Sequence, residues 1–194
     1  MLRRILRFLI YGPQPADPTR KWPPRVEQQL TFPFDSGRLN GAALGDSFEA
    51  ASFLGPAEER DSTTQISVGY YTLGLGFDVD DDGRIGTWDL VFVDEERQYQ
   101  PFAGRITHRA AQVDIRRLND RTFEQRFGEC YWRDKDARET ILFYEFPGRE
   151  WQVEFDLAGT LKRILVLAQP LMADDAQRAA YHVTREWPPR SWNS

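Results

Sequence analysis

The sequence predicts an α+β fold of two tandem units, each a short helix packed on an antiparallel β-sheet. Two observations carry this. First, Val68 to Val93 alternates apolar and polar residues in strand-length runs around an acidic, Gly-containing turn, and a diverged copy follows about 75 residues later at Ile141 to Leu167. In that alignment Tyr71 matches Tyr144, Phe77-Asp78-Val79-Asp80 matches Val153-Glu154-Phe155-Asp156, Gly83 matches Gly159 and Ile85 matches Leu161. Second, each copy is preceded by the same two phrases in the same order. Pro33-Phe34 through Gly37-Arg38-Leu39 is echoed by Pro101-Phe102-Ala103-Gly104-Arg105-Ile106, and Asp46-Ser47-Phe48-Glu49 through Leu54-Gly55 is echoed by Asp120 through Gly128. The copies share strands and a turn Gly but not the acidic cluster.

Taken in order, residues 1–11 place Leu2, Ile5, Leu6 and Leu9 at helical spacing with Arg3, Arg4 and Arg7 between them. Arg7 interrupts what would be the apolar run of a signal peptide, and the stretch is too short to span a bilayer. It reads as a terminal helix docked on the domain or frayed, with membrane contact as the less favoured alternative. Residues 12–25 carry five prolines and read as an extended connector. Its Trp22-Pro23-Pro24-Arg25 is repeated at Trp187-Pro188-Pro189-Arg190, and each Trp is expected to lie packed in a groove of the domain. Residues 26–34 read as a first strand. In the stretch to Pro56, Asp46 or Ser47 caps a short helix whose apolar face is Phe48, Ala51 and Phe53-Leu54, and Gly55-Pro56 stops it. Strands follow at 66–73, 74–79 and 85–93, and then a charged linker at 94–100. In the second copy a helix over 120–128 precedes strands near 129–134, 139–146, 150–156 and 160–168, and 173–183 reads as a closing helix. The organisation is thus an arm and connector at 1–32, a first unit at 33–96, a second at 97–170, and a helix with a Trp-Pro-Pro tail at 171–194.

Composition narrows the function classes. The chain has 194 residues, 41% hydrophobic and 28% charged, enough for one large domain or two small ones. A net charge of -5 argues against general nucleic-acid affinity, which needs a basic face. Cys130 is alone, so no intramolecular disulfide forms, and a reducing, cytoplasmic location is expected.

The phrase Leu44-Gly45-Asp46-Ser47 through Phe53-Leu54-Gly55-Pro56, followed by a Tyr strand and a hairpin, resembles the helix-then-sheet unit of the BamE (SmpA/OmlA) family. Two such units in tandem resemble the architecture of the β-lactamase inhibitory proteins, and small immunity-type proteins are built from similar units. The resemblance covers about residues 33–168. It implies a binding scaffold without catalysis. The chain departs from those families in lacking a disulfide pair, a lipoprotein Cys and a signal peptide, and no inhibitor contact residue carries over by motif.

The sharpest chemical motif is Asp78 to Asp89. Asp78, Asp80 and Asp82 stand at positions 1, 3 and 5 of a calcium loop, Gly83 at 6, Ile85 at 8 and Asp89 at 12. Against a Ca²⁺ cofactor stand the flanking strands, the short Asp at position 12, and a sister turn that holds Leu157 and Ala158 where acids would be. The competing reading is a solvated Asp-Gly hairpin turn whose tip meets a basic partner. Only His108 and His182 are available as imidazole bases or ligands, and no nucleophile elbow or phosphate loop is present, so no catalytic set is predicted. Aromatics on a helix-free sheet face would make a binding surface. The expected function is therefore non-catalytic binding of another protein, of the inhibitor or immunity type, with Asp81, Asp82, Trp88, Tyr99, Trp132 and Trp151 as contact residues. A calcium-binding or envelope-associated module is the second reading, and a hydrolase of unknown substrate the third.

Overall fold

Alternation with a period of two governs most of the chain, and it produces sheet. The computed structural model describes residues 17–25, 27–61, 66–94, 98–168, 170–172 and 174–184. The basic arm at 1–11, the first prolines of the connector and the Trp187-Pro188-Pro189 tail lie outside the described residues. The strands are β1 (Thr31–Pro33), β2 (Glu59–Asp61), β3 (Ile66–Tyr70), β4 (Leu75–Val79), β5 (Ile85–Val91), β6 (Arg105–His108), β7 (Ala111–Val113), β8 (Trp132–Lys135), β9 (Glu139–Phe146), β10 (Arg149–Asp156) and β11 (Leu161–Leu167). The α-helices are α1 (Asp120–Phe127) and α2 (Asp175–Ala180). The architecture is α+β and mostly sheet.

An eight-stranded antiparallel sheet runs in the order β2-β3-β4-β5-β11-β10-β9-β8. It is two four-stranded meanders joined edge to edge where β5 pairs with β11, so the two units share one continuous sheet. The copies agree in detail. Each has a bulge near the end of its third strand, between Asp78 and Val79 and between Glu154 and Phe155. Each closes its hairpin identically: Asp80 N donates to Arg84 O at 2.9 Å and Arg84 N to Asp80 Oδ1 at 2.8 Å, while Asp156 N donates to Thr160 O at 3.0 Å and Thr160 N to Asp156 Oδ1 at 2.7 Å. Gly83 and Gly159 sit at φ 74° and 81°, where a side chain is strained. The pairing also corrects the sequence alignment by one residue. Tyr70 lies opposite Leu75 as Tyr144 lies opposite Trp151, so Tyr70, not Tyr71, is the equivalent of Tyr144.

One face of the sheet is the core. The expected first helix is a 3-10 helix, Phe48–Leu54, which buries Phe48, Ala51 and Leu54 at intervals of three. Ser47 caps it, while Asp46 instead accepts from Ala43 N at 2.9 Å. The second is α1, capped by a reciprocal Asn119–Thr122 box. Phe48 packs on Phe77, and Phe123 on Tyr144 and Phe155, with centroids 5.8–5.9 Å apart. The connector contains a short 3-10 turn at Pro18–Lys21 instead of being extended throughout. Trp22 then packs on Phe48 and donates its indole N–H to Glu49 at 2.7 Å.

A small sheet β1-β6-β7, absent from the sequence expectation apart from β1, lies on the same side. Here the two opening phrases run in parallel, Phe32 opposite Ile106, and they cross. Phe34 of the first unit packs among Phe123, Phe127, Tyr144, Phe146 and Trp151 of the second. Phe102 of the second packs back on the first: its N–H donates to Val91 O at 2.7 Å, and Gly74 passes so close that a Cβ there would lie 2.4 Å from Phe102 N.

Candidate functional site

The other face of the sheet divides in two. Residues facing it are Ser67, Gly69, Gly76, Asp78, Thr87 and Asp89 from the first meander and Ile141, Phe143, Glu145, Glu150, Gln152, Glu154, Arg163 and Leu165 from the second, by their register opposite core-facing neighbours. Over β8, β9 and β10 the face is closed by the chain after β11. Met172 is fully buried there, and Tyr181 packs on Trp132. From α2, Arg178 reaches down to the carboxylate of Glu145, both side chains almost wholly buried, with its guanidinium 5.1 Å from the centroid of the Tyr131 ring. Beside it Glu150 is fully buried and accepts from Tyr131 OH at 2.6 Å, Gln152 Nε2 at 2.8 Å and Leu171 N at 3.1 Å. Burial pushes the Glu150 pKa up, and those three donors pull against it.

Over β3, β4, β5 and β11 no described residue closes the face. Two adjoining depressions of about 310 and 330 Å³ lie here, and both are lined by Asp89, Tyr99 and Arg163. The floor is low because Gly69 pairs with Gly76. Gly76 is not forced by its backbone: its φ is not positive, and a Cβ would meet Asp89 at 3.6 Å, ordinary contact. The missing side chain is thus what makes the hollow. Tyr71 and Tyr99 stand at the rim, edge to face at 4.6 Å. Across the floor Arg163 holds Asp89 by two bonds, Nε to Oδ1 at 2.6 Å and Nη2 to Oδ2 at 2.5 Å, and the pair lifts the guanidinium pKa. Lys162 lies 3.4 Å from Glu139. Glu154 stands beside Arg163; burial raises its pKa, Arg163 and Lys162 lower it, and Glu139 and Asp89 raise it further. Among the described residues four carboxylates, Asp78, Asp89, Asp94 and Glu154, and two cations, Lys162 and Arg163, line the depressions.

The expected contact residues fall in different places. Asp81 and Asp82 are exposed at the β4–β5 turn, and Tyr99 lines both depressions. Trp88 and Trp151 are corrections. Both are fully buried in the core, Trp88 5.3 Å from Phe77 and Trp151 4.3 Å from Phe34, where no partner reaches them. Trp132 faces the outer side but is packed between Phe143 and Tyr181 beneath the C-terminal segment.

The candidate calcium ligands do not converge. Asp78 accepts from the Ser67 hydroxyl, Asp80 from its own turn N–H groups, and Asp89 from Arg163, while Asp82 is exposed at the tip. Among the described residues no group of three or more His, Cys, Asp or Glu could hold a metal ion. His108 Nδ1 lies 2.9 Å from Asp35 Oδ1, joining β6 to the turn after β1. The Cys130 thiol donates to Glu124 at 3.0 Å, and burial with that carboxylate pushes its pKa up to about 12, so it stays protonated and unreactive at neutral pH. Sequence reasoning missed Gly69, Gly76, Glu154 and Arg163 as a group, because the β5–β11 pairing that assembles them has no local signal.

No family model matches the chain, and no curated protein matches it. Two solved structures are similar. One is a DUF4309 family protein (YjgB) from Bacillus subtilis, 13% identical, covering 61% of this chain and 74% of that one with a TM-score of 0.42. The other is an extracellular protein containing a SCP domain from Bacillus anthracis, 12% identical, covering 80% of this chain and 51% of that one with a TM-score of 0.43. This chain therefore spans about half of the latter's length. Neither likeness bears on what this chain binds. No described helix is long and apolar enough to cross a membrane.

Proposed function

We propose that this chain is a non-catalytic protein-binding module, of the class to which inhibitors and immunity-type proteins belong, and that it engages its partner through the open half of the outer sheet face. The observation that supports this reading is the asymmetry of that face. Its second half is covered by the chain's own residues 170–172 and 174–184, whereas its first half keeps a glycine-floored hollow that no described residue covers. A sheet face with tyrosines at its rim and shallow hollows has the anatomy of a protein interface.

The test is capture from the native cell with the tagged chain, comparing wild type with Gly76→Tyr, which fills the hollow, and with Leu157→Ala, an exposed residue at the far hairpin. Wild type and Leu157→Ala should retain one stoichiometric protein that Gly76→Tyr loses, at unchanged melting temperature. A partner held equally by all three sinks the assignment of the face.

A further inference from the structure

We propose that the chain's own residues 1–11 dock as a helix on the open half-face of the same molecule and hold it closed until the partner displaces them. The docking stands on the geometry of the face, and its control of the partner rests on the binding role proposed above.

The covered half shows that this sheet accepts a terminal segment of its own chain on its outer side. There the segment after β11 brings Met172 and Arg178 down onto the strands. The other terminus approaches the open half. The described residues begin at Asp17, and the chain there lies at the rim of the hollow. Thr19, fully buried, accepts at Oγ1 from Ala57 N at 2.9 Å. The adjoining Glu58 donates its N–H to Gly69 O at 3.0 Å, and its carboxylate accepts from Thr72 N at 2.9 Å. Gly69 belongs to the floor of the hollow, and Tyr71, next to Thr72, to its rim.

Length fits as well. Residues 12–16 include Pro13 and Pro15 and span about 15 Å when extended. An 11-residue helix is about 16 Å long. The open half runs over four adjacent strands, β3-β4-β5-β11, about 15 Å from the first to the last. The connector can therefore carry the arm over the sheet edge, and the helix then matches the half-face in width. A lone helix of this length is marginal in water, so it needs such a surface.

The chemistry of the two surfaces is complementary. Leu2, Ile5, Leu6 and Leu9 form one stripe of the arm. The hollow offers them Val91, the exposed Val93, Leu165 and the rings of Tyr71 and Tyr99, above a floor without side chains at Gly69 and Gly76. Arg3, Arg4 and Arg7 flank the stripe, and the arm has no acid. Carboxylates stand on separate sides of the hollow: Asp78 on β4, with the exposed Asp81 and Asp82 on the turn after it, and Glu154 three strands away on β10. Groups so far apart cannot share one ligand side chain, but they suit a helix that carries three arginines along its length.

The experiment compares the full-length ¹⁵N-labelled chain with the full-length double variant carrying Ile5→Asp and Leu9→Asp, which alters no described residue. In wild type the amides of residues 2–10 should have helical shifts. In the variant they should move to coil values, and the amides of Gly69, Gly76, Asp89 and Leu165 should shift while those of Glu145 and Gln152 on the covered half stay in place. The variant should also capture the partner several-fold better than wild type. Coil values for the arm in wild type, or open-face amides that the variant leaves unmoved, overturn the docking. So do helical shifts lost on dilution, which assign the arm to a second copy, and an arm that turns helical only when phosphatidylglycerol vesicles are added, which assigns it to a lipid surface. If the amides respond but both forms capture the partner equally, control of the partner is overturned and the docking stands. If neither form captures a protein, the binding role fails while the amides still decide the docking.

Discussion

Glu154 shows how the burial of a single carboxylate on this face lowers stability. Burial and the neighbouring Glu139 and Asp89 raise its pKa, and Arg163 and Lys162 only partly compensate. A carboxyl whose folded pKa exceeds its unfolded value, about 4.3, is destabilising once ionised. The cost begins as pH rises through the unfolded value and is complete above the folded one. Glu154→Gln removes it. The variant should therefore melt above wild type at pH 7, and the gap should close as pH falls below about 4, where both side chains are neutral. Thermal melts at several pH values decide the matter: a gap that does not vary with pH would mean that ionisation at Glu154 is not the cause. The buried tryptophans teach the complementary lesson. Trp88 follows the acidic tip and adjoins Asp89, which suggests a shared surface. Yet neighbours in a strand point to opposite faces, and Trp88 lies opposite Phe77 in the core while Asp89 lies opposite Gly76 outside it. Alternation in the sequence separates the two faces but does not say which one the helices cover.

At the level of elements, the paired turns are the closest match between the copies. Asp80 and Asp156 each receive a backbone N–H into the side chain at the same offset, and each turn ends on a left-handed Gly. Asp80 is therefore a turn residue first. Asp80→Ala and Asp156→Ala should each destabilise by about 1 kcal/mol, with Asp80 somewhat the larger because it also accepts from Asp82 N at 3.0 Å. Urea unfolding measures both. A melting temperature that rises with calcium in wild type but not in Asp80→Ala would contradict this and return the loop to the metal reading. The elements were legible where the signal is local. The expected strand at 139–146 coincides with β9, and those near 150–156 and 160–168 lie within a residue at each end of β10 and β11. The first helix was legible in position but not in kind: its buried residues recur every three positions, the 3-10 period, whereas Phe123 and Phe127 in α1 are four apart. The parallel β1–β6 pair joins residues 74 positions apart and the antiparallel β5–β11 seam residues 72 to 80 apart. No hydrophobic pattern within either segment specifies such a partner, so the seam, and with it the hollow beside Asp89 and Arg163, emerges only in three dimensions.

For the whole molecule, the repeat explains both its symmetry and its cohesion. Two meanders meet at a seam, and the leader of each crosses to the other, Phe34 into the second unit and Phe102 onto the first. Each unit thus borrows an aromatic from its neighbour, and the core forms one continuous cluster. Independent folding would leave the second unit with a vacancy where Phe34 contacts five aromatic rings besides His108. Phe34→Ala should then destabilise the protein by about 3–5 kcal/mol, and the loss should be shared by both units, because unfolding one exposes the seam and removes the other's leader. Native-state hydrogen exchange reads this directly. The amides of Phe77 in β4 and Val153 in β10 lie in different units, yet both should exchange faster by the same factor in Phe34→Ala. Acceleration confined to Val153 would show that the units open separately and that the crossing couples them only in geometry.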